Sequence, residues 1–284
     1  MLHTYTPTNK LVALAKSALP APAVRFLRTL RDPKETVAAA HLASDRSLGL
    51  PLAERLRLVA YTQWTQWRVQ CAHTQHEALT VIADMLRLPA SVPGVFVEAG
   101  CFKGGSAAKW SLAAQMSGRR LVLFDSFEGI PPNDEPHEVL GSIFGGRAKF
   151  NAGDYAGSLE EVKAAIAAYG SPGICDYRRG WFENTMPVFG EPVAAAYIDV
   201  DLASSTRTCL RYLYPLLSPG GFIYSQDGHL PLVIDVLRDE AFWREVGGVA
   251  PVIAGLGRDK LVRISKPSTS RTVHEPVPAG WTPS

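Results

Sequence analysis

Beyond residue 94 the chain falls into one rhythm, in which a short apolar run is followed by a glycine- or acid-bearing turn and then a helix-spaced segment. The apolar runs are 95–98, 121–125, 174–178, 194–199 and 222–225, the last entered through the turn Ser218-Pro219-Gly220-Gly221. Segments 106–116, 159–169, 204–213 and 232–245 carry helical spacing, with a short helical piece near 181–186. Apolar runs alternating with helices imply a parallel sheet covered on both faces. Two closing runs, 250–254 and 261–264, flank Gly255-Leu256-Gly257-Arg258-Asp259 and read as a hairpin, which adds an antiparallel strand at an edge. The predicted fold is a Rossmann-like α/β domain with a seven-stranded, mostly parallel sheet and helices on both faces.

Ser91-Val92-Pro93-Gly94 separates this domain from what precedes it. Residues 52–88 read as two helices, with Leu56, Leu58, Val59, Trp64 and Trp67 in the first and Leu79, Ile82 and Leu86 in the second. Residues 1–50 read as a loosely patterned arm cut by Pro20, Pro22 and Pro33. Its stretch 10–31 carries Arg25, Arg28 and Arg31 spaced in threes, as in a solvated helical arm or a membrane-surface helix. The expected division is a helical extension or lid over 1–90, the α/β domain over 91–270 and a tail over 271–284.

Charge narrows the class of partner. The formal net charge of +2 and a charged fraction of 20% leave no basic stripe for nucleic acid. The four cysteines form no CxxC pair, so neither a zinc site nor a disulfide framework is expected, and reduced thiols in a cytoplasmic protein are the default. The apolar run 11–15 is interrupted by Lys16 and is too short for a signal segment, and no stretch is long enough to span a bilayer.

Four motifs fall at strand ends, where open α/β sheets bind ligands. Val97-Glu98-Ala99-Gly100-Cys101-Phe102-Lys103-Gly104-Gly105-Ser106 bridges the first strand and first sheet helix. Its glycines permit close backbone approach, and the helix start offers free N–H groups to an anion such as a carboxylate. Its glycine spacing is not GxGxxG, so a dinucleotide pyrophosphate fits poorly. Glu98 could accept from an ammonium, and a carboxylate with an ammonium describes an amino-acid-like ligand; a plain tight turn is the alternative. Asp125, at the end of the second strand, suits the two hydroxyls of a ribose, or else caps a turn. Tyr197-Ile198-Asp199-Val200-Asp201-Leu202 and Ser225-Gln226-Asp227-Gly228-His229 end the fourth and fifth strands. Asp199 and Asp227 offer hard oxygens that suit Mg²⁺. Asp201, beside Ser204, Ser205 and Thr206, reads as a helix-capping group.

Taken in order, these motifs resemble the macrocin O-methyltransferase (TylF/MycF) family. The resemblance runs from about residue 94 to 265 and rests on Glu98-x-Gly100-x-x-x-Gly104-Gly105-Ser106, Asp125-Ser126-Phe127-Glu128-Gly129-Ile130-Pro131, Asp199-x-Asp201-Leu202 with Ser205-Thr206, and Leu213-Tyr214-Pro215 with Leu217-Ser218-Pro219-Gly220-Gly221. It implies a class I methyltransferase fold with S-adenosylmethionine as donor, a sugar or other small-molecule hydroxyl as acceptor, and a divalent metal, usually Mg²⁺. Glu98, Gly100, Phe102, Lys103, Gly104 and Ser106 would hold the methionine end. Asp125 would take the ribose, Ser126 and Phe127 would lie beside the adenosine, and Gly180, Trp181 and Phe182 would sit near the adenine, with Asp199 also against the cofactor. The metal would fall on Asp199, Gln226 and Asp227; Gln226 stands where the family has an acid, which weakens the site. His229 is the candidate base, with Asp199 as its catalytic partner.

His73 and His76 could reach the site mouth, and the Gly/Pro-rich loop 131–154 reads as a lid. The helices before residue 90 could form a homo-oligomer face. Two rival readings are a module that binds S-adenosylmethionine without catalysing, suggested by Gln226, and an NAD(P)-dependent Rossmann oxidoreductase, disfavoured by the glycine spacing.

Overall fold

The computed structural model describes residues 32–137, 150–247 and 250–266. The basic stretch 10–31, residues 138–149 of the loop read as a lid, and the tail 271–284 lie outside the described residues. Seven strands form one sheet: β1 (Val95–Ala99), β2 (Leu121–Asp125), β3 (Cys175–Arg179), β4 (Val193–Ile198), β5 (Leu217–Ser225), β6 (Val252–Ala254) and β7 (Val262–Ser265). Their spatial order is β3-β2-β1-β4-β5-β7-β6. The first five are parallel; β7 runs antiparallel to β5 and carries β6 as the predicted hairpin. The strand order reverses between β1 and β4, the place where an open sheet parts to admit a ligand.

Nine helices flank the sheet among the described residues: α1 (Pro33–Ser44), α2 (Leu52–Arg68), α3 (Gln75–Arg87), α4 (Gly105–Met116), α5 (Leu159–Tyr169), α6 (Phe182–Thr185), α7 (Ala203–Leu216), α8 (Pro231–Arg238) and α9 (Glu240–Gly247). Strand alternation divides the core. Phe96, Leu121, Leu123, Tyr197 and Phe222 pack toward α3 and α4, with Leu42 and Leu58 of α1 and α2 in the same cluster. Val97, Val122, Phe124, Ile198 and Ile223 pack against α7, α8 and α9 through Leu210, Val233 and Trp243. None of the described helices is long and apolar enough to cross a membrane.

Three details differ from the sequence reading. Residues 33–44, read as arm, form a regular helix, because Asp32 accepts from the Lys34 N–H at 2.9 Å and Pro33 occupies the first turn, where its missing donor is not needed. The segment 232–245 is two helices rather than one. Asp239 leaves helical geometry, and its Oδ1 caps the Phe242 N–H at 3.0 Å, so the second helix restarts there. The turn 218–221 is absorbed into β5, with a register irregularity opposite Val193–Ala195. Gly221 has no room for a side chain, since a Cβ would lie 2.6 Å from the Ala194 carbonyl oxygen.

Candidate active site

A cleft of about 450 Å³ opens beyond the carboxyl ends of β1, β2, β4 and β5. Its volume is that of a small-molecule site. One wall is the glycine turn. Gly100 has φ +88° and lies so close to β4 that a Cβ would stand 2.0 Å from the Asp199 carbonyl oxygen. Phe102 follows at φ 47°, and its ring meets Tyr155 edge-on at 5.8 Å. Gly104 caps α4 without a side-chain hydrogen bond, so the first amides of that helix stay available to an anion beside Ser106 on the cleft wall.

Glu98 follows Phe96 by two residues and shares its face of the sheet. It is fully buried, and neither carboxylate oxygen has a hydrogen-bond partner within bonding geometry among the described residues. Burial holds its carboxyl well above the usual range; Ser106 and Trp110 oppose this from nearby, while Asp199 and Asp125 add to it. Asp125 lines the cleft and fastens two loops, accepting the Cys101 N–H at 2.5 Å on Oδ2 and the Phe127 N–H at 2.7 Å on Oδ1. Burial raises its pKa against those amides. Glu98 and Asp125 therefore converge on one region, with Asp125 on the cleft wall and Glu98 behind Ser106.

The far wall gathers three acids. Asp199, Asp201 and Asp227 each place an oxygen within 4.8 Å of the others. Asp227 Oδ2 accepts the Val200 and Asp201 N–H groups, both at 3.0 Å, so the acid after β5 fixes the turn after β4. Asp201 adopts φ 59°, a conformation open to Asp, which turns it into the cluster. Burial, then Asp227, raise Asp199 to about 7, with the Lys260 ammonium opposing. Asp201 is held well above its usual value by burial, then by Asp227 and Asp199. His229 lines the cleft as an exposed residue, and its pKa is lowered by partial desolvation, then by Lys260, so it is neutral at pH 7.

Several expectations are corrected by these positions. Asp201 does not cap α7. That helix start is served from a distance by Glu135, which accepts the Ala203 and Ser204 N–H groups at 2.8 and 2.9 Å. Gln226 does not face the cleft: it is buried, and its Oε1 accepts from the Tyr197 hydroxyl at 3.0 Å, leaving Asp201 as the third acid of the cluster. Lys103 points away, to an ion pair with Glu161 at 3.3 Å. Gly104 packs on α5, where a Cβ would lie 2.9 Å from Val162 Cα. Phe127 is core, and Gly180 donates to the Asp125 carbonyl at 2.9 Å without lining the cleft. Ser126, Trp181 and Phe182 do line it, as do Gly100, Phe102, Ser106, Asp199, Asp227 and His229. His73 is a buried wall residue, and His76 is not on the wall.

Sequence reasoning missed Lys260, Tyr155 and the segment Gln70–Ala72, all on the cleft wall. Lys260 comes from the turn before β7 and donates to the Ala72 carbonyl at 2.9 Å. No local pattern marks it, because the hairpin delivers it. The Asp199-x-Asp201 pair was the available signal for the third acid.

The family model for macrocin-O-methyltransferase (TylF) matches residues 53–245. A tetracenomycin-class relative from Streptomyces olivaceus, 8-demethyl-8-(2,3-dimethoxy-alpha-L-rhamnosyl)-tetracenomycin-C 4'-O-methyltransferase, is 36% identical over 170 residues, covering 56% of this chain and 59% of the relative. Mycinamicin III 3''-O-methyltransferase from Micromonospora griseorubida is 29% identical over 174 residues, covering 59% and 66%. The chain thus spans less than two thirds of the length of either relative. Among solved structures, the O-methyltransferase NovP superposes with a TM-score of 0.53 at 26% identity, covering 69% of this chain and 83% of NovP. The fold is that of a class I methyltransferase.

Proposed function

The chain belongs to the macrocin-O-methyltransferase (TylF) family, and on that premise we propose that it transfers a methyl group from S-adenosylmethionine to a hydroxyl on the sugar of a glycosylated small molecule. The observation that carries this reading is the single cleft shared by the glycine turn, Asp125 and the acid cluster. The sugar acceptor is supported by the names of both relatives, one a rhamnosyl-tetracenomycin and one a mycinamicin methyltransferase.

The chain's groups fit the donor. The uncapped start of α4 and Ser106 suit its carboxylate. The orphaned oxygens of Glu98 lie behind that point and suit its ammonium, directly or through water. Asp125 keeps lone pairs for the ribose hydroxyls, and Trp181 and Phe182 offer apolar surface to the adenine. When bound, S-adenosylmethionine supplies an electrophilic methyl whose bond to sulfur breaks, with the electron pair, as the acceptor oxygen attacks in line. The protein's contribution is to align the two. His229, on the cleft wall and with its pKa lowered, would take the hydroxyl proton.

Asp199, Asp201 and Asp227 also fit a divalent cation. Three carboxylates within 4.8 Å repel one another, and Lys260 is the cation that most offsets them. Mg²⁺ held there would lower the pKa of an acceptor hydroxyl.

Calorimetry with S-adenosylhomocysteine tests the donor assignment. Micromolar binding is expected, weakened roughly ten- to hundredfold in Asp125→Ala, which removes a charged acceptor and loosens both loops. Unchanged affinity in the variant, or no binding by the wild type, would overturn the assignment. Binding without turnover on a panel of glycosylated acceptors would instead favour a non-catalytic module.

The metal assignment makes a prediction about pH. Carboxyls raised in the fold hold protons that the unfolded chain has released, so stability falls as pH rises through their folded values. The lowered histidines act in the opposite sense, but their effect is complete once the unfolded chain's imidazoles are neutral, by about pH 7.5. In chelator, the share of stability held by the Asp199 proton should therefore be lost as pH rises from about 4 to about 7, and the melting temperature should go on falling above pH 7 through Asp201 and Glu98, which are held higher. Mg²⁺ should reverse most of that drop by occupying the cluster. Thermal melts with and without Mg²⁺ measure this; curves that ignore Mg²⁺ at pH 8.5 would count against a cation on these three acids.

A further inference from the structure

The N-terminal helices hold a polar cluster that the mechanism above does not use. Lys109 lies on α4 and is fully buried. Its Nζ donates to Gln66 Oε1, stands 3.0 Å from His73 Nε2 and 4.0 Å from Cys71 Sγ. No carboxylate reaches ion-pair distance of it among the described residues. Burial lowers the Lys109 pKa, with Cys71 and Glu35 opposing; as the ammonium it only donates, so the ring nitrogen facing it accepts, and the His73 proton then sits on Nδ1.

The ring is held from several sides. It tilts against Trp110 at 5.5 Å and meets Tyr197 edge-on at 6.3 Å. Its backbone carbonyl accepts from Gln66 Nε2 at 2.8 Å, and the next residue, Thr74, opens α3 with a reciprocal cap to Glu77. Burial, then Lys109 from α4 and Lys260 from the hairpin, hold the ring's pKa well below its ordinary value and keep it neutral. Among the described residues no protein group takes up Nδ1, although His73 forms part of the cleft wall. The neighbouring wall is Gln70, Cys71, Gly105 and Ser106. Gly105 is so close to Cys71 that a Cβ would lie 2.3 Å from its sulfur.

We propose that His73 is a ligand-binding residue that donates its Nδ1–H to the methionine carboxylate of the cofactor, and that Lys109 is the positioning residue that fixes this tautomer. The inference rests on the S-adenosylmethionine reading above. It adds a donor from the turn between α2 and α3 to the helix-start amides of the glycine turn. It also accounts for a lysine buried without a carboxylate: a neutral donor is set against an anion by a cation one bond behind it.

Two measurements test it. Nitrogen NMR of histidine-labelled protein should show His73 as the Nδ1-protonated neutral form from pH 5 to 9. Lys109→Met should shift that ring to the other tautomer or make it titrate. A wild-type His73 that carries its proton on Nε2, or titrates near neutral pH, overturns the proposal. Calorimetry then compares S-adenosylhomocysteine with methylthioadenosine, which lacks the amino-acid end. His73→Phe keeps the ring and loses the donor. It should weaken S-adenosylhomocysteine roughly ten- to hundredfold and leave methylthioadenosine unchanged. His73→Gln, which retains an N–H, should recover part of the loss and guards against a misfolded Phe variant. Equal effects on both ligands, or none, overturn this inference alone. Failure of the wild type to bind S-adenosylhomocysteine overturns the cofactor reading and this inference with it.

Discussion

An Asp199→Asn protein is expected to be more stable than the wild type in chelator at pH 8 and nearly inactive. Asp199 is in unfavourable surroundings: it is partly buried on the cleft wall, and Asp201 and Asp227 place oxygens within 4.8 Å of it. Removing its charge relieves both neighbours, so the melting temperature should rise by several degrees, in line with about 1–3 kcal/mol of relieved repulsion. The same charge is what would hold a cation and polarise an acceptor hydroxyl, so kcat should fall by about 10²–10⁴. Such opposition of stability and activity is typical of a group retained for chemistry. The amide preserves shape and keeps its place 3.3 Å from the Tyr197 hydroxyl, so S-adenosylhomocysteine affinity should change much less than kcat. Melting curves and initial rates on one preparation decide it. Undiminished turnover would remove Asp199 from the mechanism, whereas a lower melting temperature would mean that the charge is compensated in the fold.

Gly100→Ala should lose about 3–5 kcal/mol of folding free energy, a shift on the order of ten degrees for a domain of this size, together with cofactor binding. Two costs combine. At φ +88° an L-residue is strained. The added Cβ would also stand 2.0 Å from the Asp199 carbonyl oxygen, a backbone atom that cannot swing aside. That carbonyl belongs to a closed crossing: Gly100 N–H donates to Phe124 O and Asp199 N–H to Ala99 O, both at 3.0 Å. Relief at one point therefore pulls β1, β2 and β4 apart where the cleft begins. Gly118→Ala is the control. It has φ +64° with nothing within 4 Å, so only the conformational cost of about 1 kcal/mol applies. If the two variants melted together, the close approach at Gly100 would carry no weight.

Particular residues show what could be read from the chain alone. The strands β1, β2 and β4 were legible because parallel strands buried on both faces must be nearly continuous apolar runs, and Val95–Ala99, Leu121–Asp125 and Val193–Ile198 are, apart from Glu98 and Asp125. Gly100, Ser106, Asp125, Asp199 and Asp227 were legible because a strand end followed by a helix start has few uses for a glycine or an acid. Helix ends set by single side chains, such as the break at Asp239, were not. A local hydrogen bond there overrides a continuous helical pattern.

Gln226 and Asp201 ended on opposite sides of the expectation: Gln226 is turned away from the acid cluster and Asp201 stands in it. Adjacent positions at a strand end look in opposite directions, so Gln226 meets Tyr197 while Asp227 meets the turn after β4, and that turn's left-handed residue brings Asp201 into the acid cluster. His73 and Lys260 joined the wall from chain distances that no spacing rule spans: Lys260 donates to a carbonyl 188 residues before it. The sequence by itself therefore determined the sheet, its hairpin edge and the side on which chemistry collects, because periodicity and turn composition act locally. Only the tertiary structure decided which side chains share the cleft, because that depends on which face each strand end presents and on how helices from outside the sheet close over it.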